Sequence, residues 1–146
     1  MSELVFVDTN VLLYEWDGSD AAKQRRAIEW MSHLWEGRRG HVSFQVLAEF
    51  YRGATQRLRP ALPAPKAQNH VRTLFAWNPV SIDPEVMEAA WRAQERYKLS
   101  WWDALIVAAA QRAGCRTLLS EDFQAGQQFS DLTVVNPFAT APSETS

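Results

Sequence analysis

Asp8 interrupts an apolar run, "LVFVDTNVLLY" at residues 4–14, with Thr9 and Asn10 directly behind it. A carboxylate heading for an interior needs a cation, a proton or hydrogen-bond donors. Two readings stand level: a helix cap for "VLLYEW", or a functional acid at the end of a strand. Asp103 completes an S-x-x-D capping pattern with Ser100, yet residues 101–110 are apolar on every side but this one, as in a buried helix. The helix dipole offers a first-turn carboxylate up to ~1 kcal/mol, whereas burying an ion costs several. Function is favoured there. Glu49 falls on the flank of the stripe Val46, Leu47, Phe50 and Ala54, where a solvated glutamate is the ordinary outcome. Asp122 follows apolar "TLL" in "SEDF", where a turn residue is ordinary and Glu121 is expected to be the more exposed neighbour.

Together the four acids say more than each alone. Two follow different strands on one sheet edge, and two lie in helices packing there. Carboxylates within ~4 Å would repel by about 4 kcal/mol at an effective dielectric of 20. Such a cluster takes up protons or hard divalent cations, and Mg²⁺ and Mn²⁺ prefer carboxylate oxygens and water. A metal is therefore the expected partner of Asp8. His33, His41 and His70 lack zinc-ligand spacing, and the single Cys115 has no second thiol beside it. A glycine-rich phosphate loop and a G-x-S-x-G elbow are both absent from the sequence. Cys115, just before a strand, reads as a small core residue.

The elements that must position these acids follow from periodicity and caps. A strand is expected over 4–7. Ser19 and Asp20 open a helix to about residue 36, with Ala27, Met31, Leu34 and Trp35 inward and "GRRG" ending it. A short strand over 41–43 precedes a helix capped by Ser43, "FQVLAEFYRGAT". The proline-rich segment at 57–65 connects to a further helix ending near Ala76. A third strand is expected over 80–82, then a helix capped by Asp83 with Pro84 in its first turn, ending near Tyr97. Ser100 caps the helix that Gly114 stops; "RTLLS" and "LTVV" are the fourth and fifth strands. Strands alternating with helices predict a parallel sheet covered on both faces. The working site of such a sheet lies beyond the strands' carboxyl ends, where strand order reverses.

A chain of 146 residues fits one domain, expected over 1–136 with a frayed tail at 137–146. Its 47% hydrophobic and 22% charged residues are globular proportions. With a net charge of −2, a polyanion must be held by a local basic patch or by metal rather than by overall charge. One cysteine excludes an internal disulfide framework and fits a reducing compartment. No apolar run is long enough to span a bilayer, so a soluble, cytoplasmic protein without membrane association is expected.

"VFVDTNVLLY", "AEFYRG", "WWDALIVAAA" and "LLSEDF", in this order and spanning residues 4–136, resemble the PIN-domain family and particularly its VapC-type toxins. The resemblance implies an α/β fold, a three-layer α/β/α sandwich around a parallel five-stranded sheet. It implies an Mg²⁺- or Mn²⁺-dependent endoribonuclease, the toxin of a type II toxin–antitoxin pair, with RNA as substrate, a cognate antitoxin as partner and homodimeric assembly. Carried over, the catalytic and metal-binding acids are Asp8, Glu49, Asp103 and Asp122, with Thr9, Asn10 and Ser120 as supporting polar residues. Similar nucleases leave a 5′-phosphate and a 3′-hydroxyl. Arg52, Arg57 and Arg59 are candidate contacts to RNA phosphate, against solvated helix-end residues. Two other readings stand beside this one. A haloacid-dehalogenase-like phosphatase needs a second Asp where this chain has Asn10. A non-catalytic RNA- or protein-binding module would keep the fold, with Leu74 and Trp77 as contact candidates against core packing.

Overall fold

The computed structural model describes residues 3–142. Strand β1 (Val5–Val7) runs into a short helix α1 (Thr9–Tyr14), which Asp8 caps by accepting from Thr9 N–H. Helix α2 (Ala21–Gly37) is capped by Asp20, whose side chain accepts from Lys23 N–H. Strand β2 (Gly40–His41) leads to α3 (Phe44–Gln56), where Ser43 caps through Val46 N–H. Helix α4 (Ala64–Leu74) passes into a single 3₁₀ turn, Phe75–Trp77. Asp83 and Pro84 start α5 (Pro84–Tyr97), and Ser100 starts α6 (Trp101–Arg112). Strands β3 (Thr117–Leu119), β4 (Gln128–Phe129) and β5 (Leu132–Val135) complete the sheet.

The five strands form the middle layer of an α/β/α sandwich in the order β2-β1-β3-β5-β4. Four run parallel, and β4 pairs antiparallel with β5. The expected strand over 80–82 is reduced to one parallel bridge between Ser43 and Val80. Ser81 and Ile82 lie exposed, and Asp83 already bends the chain to cap α5. The fifth strand is instead β4, two residues long and hidden among polar neighbours. From β1 the chain steps outward to β2 and later returns to β3 on β1's other side, so strand order reverses between β1 and β3.

Phe6, Trp30, Phe50, Leu118 and Phe129 are fully buried in the core, each contributing ~1.5–3 kcal/mol by leaving water. Helix α6 is buried at every position from Ala104 to Ala110, as its all-round apolar sequence requires. Leu74 and Trp77 are also core residues, so they offer no contact surface. Cys115 packs inside, and burial pushes its thiol up to about 12. Within the expected frayed tail, residues 137–142 are docked. The Trp30 indole N–H is shared by the carbonyls of Pro137 and Thr140, and Tyr14 meets Phe138 edge-on at 5.0 Å. Residues 143–146 lie outside the described residues. Among those described, no helix is long and apolar enough to cross a membrane.

One close approach bears on the site. A Cβ at Gly53 would stand 3.0 Å from the δ-carbons of Leu13. Helices α1 and α3 thus meet with only a hydrogen between them at that crossing.

Candidate metal and nucleic-acid site

The register of β1 with β3 places Val7 beside Leu119, so the next residues, Asp8 and Ser120, emerge together from the carboxyl edge. Asp8 N–H continues the ladder to the Leu119 carbonyl at 3.0 Å. Its Oδ1 accepts from Thr9 N–H at 2.7 Å, and its Oδ2 accepts from the Ser120 hydroxyl at 2.7 Å and from Asn10 Nδ2 at 3.3 Å. Asp8 is therefore cap and site acid at once. Asn10 Nδ2 also reaches Ser120 Oγ at 3.2 Å and Asp122 Oδ2 at 3.1 Å, while its Oδ1 accepts from Glu121 N–H. Asp122 N–H donates to Ser120 Oγ at 3.1 Å. Asn10 bridges two acids as a donor, which removes it from the proton-transfer role that a phosphatase reading would give position 10.

The opposite wall comes from helices. Thr9 Oγ1 donates to Glu49 Oε1 at 3.0 Å, tying α1 to α3. Asp103, in the first turn of α6, meets its own cap Ser100. All four acids line one cavity of about 270 Å³, together with Thr9, Asn10, Gln45, Arg52, Arg57 and Trp102. Ser120 lies buried behind Asp8.

Arg59 departs from expectation. Its guanidinium turns back to the carbonyls of Gln56 and Leu58 at 2.9 and 3.0 Å, satisfying the end of α3, and it does not line the cavity. Glu121 faces away as well, bonded to Lys23 Nζ at 2.7 Å. Of the adjacent acids, only Asp122 belongs to the cavity wall. Gln45 and Trp102 escaped the sequence reading. Gln45 stands at a buried turn of α3, where a polar residue was the available signal; Trp102 lay inside an apolar run that marks nothing individually.

Burial pushes the Asp8 carboxyl up to about 6. The Ser120 hydroxyl and Thr9 N–H pull it down, and the charges of Asp122 and Glu49 push it up again. Asp103 is also raised, first by burial and further by Asp122, with its contact to Ser100 opposing. Among the described residues, none of the four acids has a lysine or arginine within ion-pair distance. An all-oxygen set of mutually repelling carboxylates, none of them in a direct ion pair, fits a hard divalent cation. Among the described residues, however, no three His, Cys, Asp or Glu side chains are grouped tightly enough to enclose an ion. The acids share a cleft, not a finished cage.

Several solved structures resemble the chain, three of them as follows. A toxin–antitoxin complex from Klebsiella pneumoniae is 22% identical, with a TM-score of 0.66 over 91% of this chain and 97% of that one. FitAB bound to an IR36 DNA fragment is 20% identical, with a TM-score of 0.73 over 92% and 96%. The Mycobacterium tuberculosis toxin VapC20, which cleaves the sarcin–ricin loop, is 19% identical, with a TM-score of 0.57 over 78% and 86%. At these identities the likeness speaks for the fold. No curated protein matches the sequence. The PIN domain matches residues 5–128, a span that carries β1, the cleft and all four acids, and on that match the chain belongs to the PIN-domain family.

Proposed function

We propose that this protein is an Mg²⁺- or Mn²⁺-dependent endoribonuclease and the toxin of a type II toxin–antitoxin pair. The observation that carries the reading is Asp8: a buried carboxylate beside Asp122 and Glu49, held by donors but in no ion pair with a basic side chain. Asp8, Glu49, Asp103 and Asp122 would hold the ion. When bound, the ion lowers the pKa of a water and stabilises charge on the phosphodiester.

The chain's own groups orient that chemistry. Ser120 and Thr9 N–H fix the two oxygens of Asp8, and Asn10 links Asp8 to Asp122. Thr9 holds Glu49 from across the cleft. Arg52 and Arg57 present the positive charge that an RNA phosphate needs in a protein of net charge −2. Membership of the PIN family and the likeness to a toxin–antitoxin complex support a cognate antitoxin as partner; assembly as a homodimer in the cytoplasm belongs to the same proposal.

Purified protein incubated with RNA tests the proposal. Cleavage with Mg²⁺ that stops with EDTA and with Asp8→Asn is expected. Cleavage surviving both refutes it. A small antitoxin-like reading frame beside the gene is expected if the toxin role is right. The open grouping of the acids favours one second reading, a non-catalytic RNA- or protein-binding module. RNA bound but never cut, with Mg²⁺ or Mn²⁺ present, would select it.

A further inference from the structure

Seven tryptophans are a large investment for 146 residues, and the fold accounts for six. Trp30 donates to the carbonyls of Pro137 and Thr140. Trp35 and Trp77 pack together at 4.9 Å between ring centres, and Trp91 stacks on Trp101 at 6.3 Å. Trp16 meets His70 edge-on at 5.2 Å with Lys66 over its ring. Trp102 alone is left over. Its indole meets no other ring and has no hydrogen-bond acceptor among the described residues, and it is 61% exposed, the most of any large apolar side chain. Singly exposed aromatics are ordinary, but this one forms part of the wall of the acid-lined cleft.

A second observation lies directly beneath it. Gln45 is 8% exposed, and its Nε2 donates to the Trp102 carbonyl at 3.3 Å. A carbonyl can only accept, so the amide orientation is fixed and Oε1 is the remaining atom. That Oε1 is buried without a donor, and no other side chain of the cleft wall has a buried orphan. An unmet buried acceptor is costly until something donates to it. Every RNA base has a flat face for an indole.

We propose that Trp102 and Gln45 form a base-binding subsite of this cleft: Trp102 is the platform on which one base of a single-stranded RNA stacks, and Gln45, bonded to the Trp102 carbonyl, holds that platform in place. The inference rests on the nuclease reading for its biological meaning, since Asp103 is the next residue and the stacked nucleotide would adjoin the acids. Its physical content is independent of catalysis. Arg52 and Arg57 would take the backbone of the same strand, dividing recognition into phosphate contacts that position and a base contact that selects.

Fluorescence anisotropy with a labelled single-stranded hexaribonucleotide, measured in EDTA so that nothing is cut, tests the proposal. The comparison strand carries abasic sites throughout. Trp102→Ala is expected to weaken binding of the base-bearing strand about tenfold to a hundredfold and to leave the abasic strand unchanged. Trp102→Phe should restore most of the loss. Phe75→Ala, an equally surface-lying aromatic outside the cleft, should change neither. Equal losses on both strands, or no loss, overturn the proposal. Base-dependent binding with no cutting in either Mg²⁺ or Mn²⁺ overturns the nuclease reading and keeps the subsite. Unaltered cutting and binding by Trp102→Ala does the reverse.

Discussion

On the strand side of the cleft, Asp8, Asn10, Ser120 and Asp122 are knitted into one hydrogen-bonded network. On the helix side, Glu49 keeps a single bond to Thr9, and Asp103 contacts only its own cap. The difference has a backbone origin. Neighbouring parallel strands fix residues just past their ends within about 5 Å, so Asp8 and Ser120 are placed by the ladder itself. The helical acids are placed only as well as α3 and α6 pack, and each side chain is held by fewer partners. One wall is thus set in advance and the other is adjustable, which explains how four acids can share a cavity without enclosing an ion.

Substitutions on the two walls should therefore differ in size and kind. Asp8→Asn should have the largest effect, reducing RNA cleavage well beyond the ~10- to 100-fold that outer partners of a metal site cost, as read by initial rates with Mn²⁺. It should also abolish any rise in melting temperature caused by Mn²⁺. Equal melting shifts in both proteins would show that the rigid wall does not hold the ion. Ser120→Ala should come next, weakening metal affinity ~10- to 100-fold and destabilising the fold by about 1–3 kcal/mol, because the buried Asp8 carboxylate loses the hydroxyl that donates to it. Glu49→Gln, on the adjustable wall, should lower the apparent metal affinity less than Ser120→Ala, in the same titration. The opposite ranking would remove the distinction between the walls.

The pH dependence sharpens the contrast. Asp8 rises from its ordinary 3.8 to about 6 on folding, so the folded chain holds this proton more tightly than the unfolded chain. Its contribution to stability is complete below about 3.8 and disappears as pH rises through about 6, a loss of roughly 3 kcal/mol. In EDTA, the native protein should lose stability between pH 4 and 7 relative to Asp8→Asn, measured by urea denaturation at each pH. Stabilisation by Mg²⁺ should follow the opposite course, growing as Asp8 ionises. The smallest effect is expected at the arginines. Arg59→Ala should leave RNA binding within twofold of native, whereas Arg52→Ala, inside the cavity, should weaken it and flatten its salt dependence.

Much of this was legible in the sequence because the helices announce themselves through caps. Ser43, Asp83 and Ser100 each bond the first turn they were expected to cap. The position of Asp8 past an apolar strand, and of Asp122 past another, placed both at the switch between β1 and β3. What escaped was short or depended on tertiary context. Two residues, Gln128 and Phe129, carry no periodicity by which a strand is read, and Val80 through Ile82 looked β-like while pairing only at Val80. Arginine positions near a helix end gave no hint that Arg52 and Arg57 face the cavity while Arg59 turns to backbone. The docking of residues 137–142 draws on distant side chains, Trp30 and Tyr14, which no local pattern encodes.

Gly53 gives the adjustable wall a limit. Glu49 and Gly53 lie one turn apart on the same face of α3, and the missing side chain at Gly53 lets Leu13 of α1 close to contact distance. The aperture between Thr9 and Glu49 is therefore gauged by an absence, a turn away from any reacting atom. A methyl group there would press on the δ-carbons of Leu13, which must give by a few tenths of an ångström, so the fit between these two helices behind the site is set by how closely they are allowed to touch.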